Sequence, residues 1–167
     1  MNPRRTLALV ALCLALLSAG GCAYEGRWSA AGKEPTPSDQ ITGRWIGTWT
    51  SEASGHSGGL RCIVTRTDSG RFKADFRATY AWLFSFGYEM AMNVRASDAA
   101  TNPSVVYFTG EEDLGALAGG EYTYDGRATP TEFFCKYKTK DDHGTFQLVR
   151  PGGTPVMEPA PAVVSRE

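Results

Sequence analysis

The 167-residue chain lacks the features that several function classes require. Its charges nearly balance, with 17 basic and 18 acidic residues, and they form neither a basic patch nor an acidic tail. This argues against binding of nucleic acid or of a strongly cationic partner. Histidine occurs only twice, and no Ser-His-Asp set, phosphate loop or zinc-ligand pattern is present. We therefore expect no metal, no cofactor and no enzymatic activity.

Long apolar runs are also absent, apart from one at the amino terminus. Arg4 and Arg5 precede an apolar segment over 6–17, and small residues then lead to Cys22. This segment is too short for a membrane span, which takes about 20 apolar residues. A basic start, a short apolar core and a small-residue end are typical of a bacterial export signal.

The end of this segment resembles the lipobox of bacterial lipoproteins. The tetrad Ala19-Gly20-Gly21-Cys22 fits that pattern except at its first position, where the family usually has leucine. The resemblance implies that the Cys22 thiol is acylated, that residues 1–21 are removed and that the lipid anchors the protein to a membrane. Ordinary signal-peptidase cleavage, which small residues also permit, is the alternative. Because Ala23 is not the aspartate that retains lipoproteins in some inner membranes, the resemblance favours the outer membrane of the cell envelope.

Cysteine is scarce, with four residues in the chain. Cys13 lies in the export signal and Cys22 is the expected lipid site, so Cys62 and Cys135 remain. An even pair in an oxidising compartment suggests a disulfide. The alternative is two buried thiols, which pack as small hydrophobic groups. The sequence leaves both open, because it does not give the distance between the two Cα atoms.

Proline-rich polar segments flank a central region whose length fits one domain. Residues 22–40 are expected to be a flexible tether, and 151–167 a disordered tail. Residues 41–150 are rich in aromatic residues, threonine and glycine, which is typical of strands and turns. We therefore expect a single all-β domain over 41–150.

Eight short strands are predicted in this domain. The clearest is 71–80, where apolar and charged residues alternate from Phe72 to Tyr80. Residues 81–87, which contain three aromatic rings, are expected to form the turn to the next strand. Short connections favour an antiparallel up-and-down meander, and closure into an eight-stranded barrel would remove its exposed edges. The predicted strands are 43–51, 60–66, 71–80, 88–95, 104–110, 121–128, 131–138 and 145–150.

The two ends of this domain resemble the calycin pattern of lipocalins, fatty-acid-binding proteins and avidins. Gly43-Arg44-Trp45 opens the first strand and Arg150 ends the last, while Gly47-Thr48-Trp49 is a second candidate for the same motif. The resemblance implies that Trp45 plugs one end of a barrel and that Arg150 stacks on its indole ring. The whole chain is also similar to small lipoproteins of environmental bacteria.

Inward-facing aromatic residues are the candidate ligand-binding positions. They could line a pocket for a small apolar molecule, or they could fill a narrow barrel as an ordinary core. A structural or interaction role in the envelope is therefore the alternative to ligand binding. The candidate lining residues are Trp49, Phe76, Tyr80, Tyr88, Tyr107 and Tyr124.

An exported barrel enzyme is the alternative from a different class. Its acid and base groups would come from His56, from His143 with the neighbouring Asp141 and Asp142, or from the acidic run 111–113. Nothing in the spacing of these residues supports catalysis or a cation site. A polar hairpin turn and a solvated loop explain them equally well.

Overall fold

The computed structural model describes residues 23–35, 41–81, 84–96, 104–115 and 119–152. Each of the eight strands pairs antiparallel with the next, and the first also pairs with the last, which closes the sheet into a barrel. The predicted all-β, eight-stranded up-and-down barrel is therefore confirmed. The strands are β1 (Gly43–Ser51), β2 (Ser57–Arg66), β3 (Phe72–Tyr80), β4 (Phe84–Ala96), β5 (Val106–Asp113), β6 (Glu121–Ala128), β7 (Glu132–Lys138) and β8 (His143–Val149).

The β3–β4 hairpin is longer than predicted. Pairing continues to the end, where Tyr80 faces Phe84, so residues 84–87 belong to β4 rather than to the turn. The reason is the register: Phe86 lies opposite Ala78 and extends the inward apolar face of both strands. Residues 82 and 83 of the expected turn lie outside the described residues.

Large side chains fill the barrel half that contains the start of β1. Phe108 and Phe133 stack there with ring centroids 4.7 Å apart, and both are buried. Gly126 permits this packing, since a Cβ at that position would lie 2.3 Å from the Phe108 ring. This half of the interior is consequently filled by side chains, as an ordinary core is.

The indole of Trp45 closes this end. The side chain has no exposed surface, and its Nε1 donates a hydrogen bond to the Ile41 carbonyl at 2.8 Å. The Arg150 guanidinium lies over the ring, with Cζ 3.7 Å from the centroid. Arg150 also donates to the carbonyls of Thr42 at 2.8 Å and Pro130 at 3.2 Å. The stacked pair that the calycin resemblance implied is present.

The two core cysteines are free thiols. Cys62 and Cys135 both have no exposed surface, and no disulfide joins them. Of the two alternatives left open by the sequence, the structure thus has the buried thiols. Burial raises the pKa of both, so both stay protonated and act as small apolar groups.

The expected tether contains a helix. Residues 23–31 form α1, which packs on the outer face of β1 to β3 and buries Tyr24 to 2% exposure. This corrects the expectation of a flexible tether for residues 23–31, because aromatic side chains of α1 pack against arginine side chains of the barrel. The predicted export signal with Cys22, residues 36–40 of the tether and most of the predicted tail, 153–167, lie outside the described residues. Among the described helical residues, no segment has the length and apolar character of a membrane span.

Candidate functional site

A cavity of about 300 Å³ lies at the barrel end opposite Trp45. The antiparallel order places the ends of β1, β3, β5 and β7 at this mouth, together with the starts of the even-numbered strands. Its walls are mostly rings, with Leu60, Ala78 and Leu114 between them. The described aromatic residues of the wall are Trp49, Tyr80, Phe86, Tyr88, Tyr122, Tyr137 and Phe146.

A layer of stacked rings forms the boundary between this cavity and the packed half. Phe76 is buried, with its ring centroid 5.1 Å from that of Tyr88 and 5.5 Å from that of Phe146. Space remains above this layer because the next inward residue of β3 after Phe76 is the small Ala78. The barrel is therefore filled at one end and hollow at the other.

Five of the six predicted lining residues face the interior. Trp49, Tyr80 and Tyr88 line the cavity itself, whereas Phe76 and Tyr124 are buried in contact with its wall. Tyr80 remains 42% exposed at the mouth. The inward aromatic set thus provides both of the roles that the sequence left open, a core and a pocket wall.

Tyr107 is the exception, and its assignment is corrected. It lies on the outer face of β5 with 47% of its surface exposed, while its neighbour Phe108 is buried inside. Two adjacent aromatic residues fit either register of an alternating strand. The burial of Gly110 and the partial burial of Val106, on the same face of β5 as Phe108, show that this face is the inner one.

Tyr124 carries a buried hydroxyl at the back of the cavity wall. The residue is 3% exposed, and within the described part of the chain its hydroxyl makes no hydrogen bond of normal geometry, although the Tyr88 hydroxyl lies beside it. The ring stacks against Tyr88 at 6.3 Å and Tyr122 at 5.9 Å, two residues of the cavity wall. Burial raises the pKa of Tyr124, an effect that the neighbouring Tyr88 hydroxyl partly opposes. Tyr124 therefore remains protonated and able to donate.

Asp142 holds the β7–β8 turn at the rim of the cavity. Its Oδ1 accepts hydrogen bonds from Ser51 Oγ at 2.6 Å and from the His143 backbone nitrogen at 2.8 Å. Its Oδ2 accepts from the Tyr137 hydroxyl at 3.1 Å. The pKa of Tyr137 is raised by burial and further by this carboxylate. With both oxygens engaged, Asp142 has the contacts of a structural turn residue rather than of a free general base.

The two histidines lie away from the core cysteines. The His56 ring packs edge-on against Tyr80 at 5.4 Å, and His143 Nε2 lies 3.7 Å from the exposed Glu52 carboxylate. Both imidazoles are at the surface, whereas Cys62 and Cys135 are fully buried. An imidazole-activated thiolate, as in cysteine hydrolases, is therefore not assembled.

The acidic run 111–113 does not converge on a cation. These residues belong to the end of β5, where alternation sends Glu111 and Asp113 outward and Glu112 to the other face. The Asp113 carboxylate instead accepts a hydrogen bond from the Gly115 backbone nitrogen at 2.8 Å. Within the described ranges, no three histidine, cysteine or acidic side chains are grouped as metal ligands.

Sequence reasoning missed the network of Ser51, Tyr137 and Asp142 at the rim. These residues come from the end of β1, the end of β7 and the following turn, so no local motif joins them. Closure of β1 onto β8 brings them together, and only that long-range pairing could have indicated the contact.

Comparisons with protein-family models, curated proteins and solved structures gave no match.

Proposed function

We propose that the protein is a lipid-anchored barrel of the bacterial cell envelope that binds a small, uncharged, mainly apolar molecule and catalyses no reaction. The observation that carries this proposal is the cavity of about 300 Å³, walled by rings and open at one end, while the Trp45 end is closed. Its size is at the lower end of the range for small-molecule sites, about 300–1,000 Å³. Apolar walls with few polar groups are typical of such sites.

The charges around the cavity favour an uncharged ligand. Of the described residues that line it, none is cationic, and the one carboxylate is Asp142. An anionic group would lack a counter-charge here, and an unpaired charge in an apolar environment is strongly disfavoured. This argues against a fatty acid that enters with its carboxylate inward.

The Tyr124 hydroxyl favours a ligand with one hydrogen-bond acceptor. A buried donor without a partner costs about 1–3 kcal/mol, so an acceptor reaching it would recover part of that loss. Tyr88 and Tyr122 line the cavity and stack on the Tyr124 ring, so a ligand atom would reach this hydroxyl after a shift of one of these two rings. We therefore favour an apolar molecule with a single carbonyl, ether or hydroxyl oxygen.

The anchor is supported by the sequence from the basic amino terminus to Cys22. Acylation of Cys22 should place the wild-type protein in the outer-membrane fraction, and a Cys22→Ser variant should become soluble. Globomycin, which inhibits lipoprotein signal peptidase, should cause the precursor to accumulate. An unchanged gel pattern under globomycin would contradict acylation and favour ordinary cleavage.

A titration with the neutral apolar fluorophore N-phenyl-1-naphthylamine tests the cavity. Ala78→Phe places a ring in the cavity, whereas Ala91→Phe adds the same ring to the outer face of β4. Ala78→Phe should weaken binding at least tenfold, about 1.4 kcal/mol, and Ala91→Phe should leave it unchanged. Equal affinities in the two folded variants would contradict binding in the cavity.

A further inference from the structure

Helix α1 is attached to the barrel by charged and aromatic contacts. Tyr24 and Trp28 flank Arg61 of β2, whose guanidinium carbon lies 5.2 and 5.1 Å from the two ring centroids. Arg27 donates two hydrogen bonds to Asp75 Oδ2, at 2.9 and 2.6 Å. Tyr24, Arg27 and Trp28 are spaced as residues of one helix face, so these contacts join that face of a short helix to two strands of the wall.

The position of Asp75 shows that α1 is part of the folded domain. Asp75 points outward from β3, yet only 7% of its surface is exposed, and Arg27 from α1 is its ion-pair partner. Undocking α1 would break this ion pair and expose Tyr24, which is 2% exposed in the docked helix. Because burial of an aromatic side chain is favourable, the docked position of α1 is favoured.

The attachment of α1 restricts the position at which an acyl chain on Cys22 would leave the protein. Cys22 is two residues before Tyr24, and consecutive Cα atoms are 3.8 Å apart, so the two Cα atoms are within about 7.6 Å. Tyr24 itself lies beside β3, with its ring 5.7 Å from the guanidinium carbon of Arg77. An acyl chain on Cys22 would therefore leave the protein at the β3 flank of the barrel.

We propose that α1 holds the β3–β4 side of the barrel mouth against the lipid head groups, so that the cavity opens at the membrane surface. This inference rests on the proposed acylation of Cys22. From Arg77, the mouth residue Tyr80 is three residues further along β3, about 10 Å at 3.3 Å per residue.

The chemistry of this side fits a bilayer surface. Tyr80 and Phe86 are 42% and 47% exposed at the mouth, and aromatic side chains are favoured at the membrane interface. Arg77 lies on the same flank beside Tyr24, and Arg27, although paired with Asp75, keeps its side chain 52% exposed. Arginine near a membrane surface attracts the phosphates of anionic lipids. An apolar ligand could then pass between bilayer and cavity without crossing bulk water.

Spin labels on the full lipidated protein test this orientation. One label replaces Gly87 on β4, where an added Cβ meets only the Phe76 carbonyl at an ordinary 3.5 Å. The matched control replaces Thr123, an exposed residue near the mouth on β6. The buried Cys62 and Cys135 should not react. In vesicles of phosphatidylethanolamine and phosphatidylglycerol, Gly87→Cys should be shielded from a water-soluble nickel reagent and accessible to oxygen, unlike Thr123→Cys.

A second variant separates the role of α1 from that of the anchor. Tyr24→Ala with Arg27→Gln should release the helix, abolish the difference between the two labels and leave vesicle binding intact. Its near-ultraviolet circular dichroism should show a folded barrel. Equal nickel accessibility of both labels in the vesicle-bound protein with α1 intact would overturn the proposed orientation without contradicting the anchor. A difference in accessibility between the labels that persists after α1 is released would do the same. Absence of acyl groups on Cys22 by mass spectrometry would instead overturn the proposed anchor.

Discussion

The guanidinium carbon of Arg150 lies 3.7 Å from the centre of the Trp45 indole ring, although the two residues come from opposite ends of the domain sequence. Trp45 is the third residue of β1 and Arg150 follows β8, the two strands whose pairing closes the barrel. The contact therefore joins the two ends of the domain where β1 pairs with β8, and it covers the closed end of the barrel. The cavity at the other end depends on this asymmetry, because a barrel open at both ends would not enclose a ligand.

Replacing Arg150 by alanine should destabilise the barrel by about 2–4 kcal/mol. The variant loses a desolvated cation–π contact and charged hydrogen bonds to backbone carbonyls, including that of Thr42 at 2.8 Å. Urea unfolding followed by tryptophan fluorescence measures the change. Arg95→Ala on the exposed outer face of β4 is the control and should stay within about 0.5 kcal/mol of wild type. Equal losses in the two variants would contradict a stabilising role for the stacked pair.

The thiols of Cys62 and Cys135 should be unreactive in the native protein. Both are fully buried, and burial raises the pKa of each, so the reactive thiolate is not populated near neutral pH. In a chain beginning after Cys22, a chromogenic disulfide reagent should detect no thiol before denaturation and two thiols in guanidinium without reductant. Detecting none after denaturation would show a disulfide and contradict the structure.

Alkaline pH should unfold the protein cooperatively. Burial raises the pKa of Tyr88, Tyr124 and Tyr137 above the ordinary value of 10.0. Since these tyrosines ionise more readily in the unfolded chain, stability should be complete below pH 10 and fall as pH rises through the raised folded-state values. Much of the tyrosinate absorbance should then appear together with the loss of near-ultraviolet circular dichroism. Ionisation of every tyrosine in a barrel that stays folded would contradict the buried hydroxyls.

Acidic pH should weaken the contact of α1 with the barrel. A hydrogen bond from Arg61 lowers the pKa of Glu25 below its ordinary value of 4.5. Its contribution is therefore present above pH 4.5 and is lost as pH falls through the lowered value. Glu25→Gln should reduce the free energy of unfolding by about 0.5 kcal/mol at pH 7, as expected for an exposed pair. A wild-type–variant difference that did not shrink on acidification would contradict this assignment.

The barrel could be predicted from the sequence because its strands carry local signals. Alternation along β3 predicted its inward face, and the Gly43-x-Trp45 motif with Arg150 indicated the closed end. By contrast, α1 has little local signal: an isolated nine-residue helix is marginal in water. Its contact with Arg61 arises only after β2 has its place in the sheet.

The cavity was less predictable than the aromatic set around it. Sequence patterns indicate which side chains face inward, but not whether their summed volume fills the interior. Here the outcome depends on long-range neighbours, with Ala78 facing the hollow half and Gly126 leaving room for the Phe108 ring in the packed half. The orientation of Tyr107 was also unpredictable, although only one strand is involved. The burial of its neighbours in β5 shows that its ring points outward.

Native mass spectrometry of the protein gently extracted from membranes tests the central claim most directly. Wild type and the outer-face variant Ala91→Phe should each carry one non-covalent apolar molecule in addition to the covalent acyl groups, and Ala78→Phe should carry none. Denaturation should release this molecule for identification. An empty cavity in wild type across gentle extraction conditions, or equal occupancy in Ala78→Phe, would contradict the account of the barrel as a ligand-binding protein.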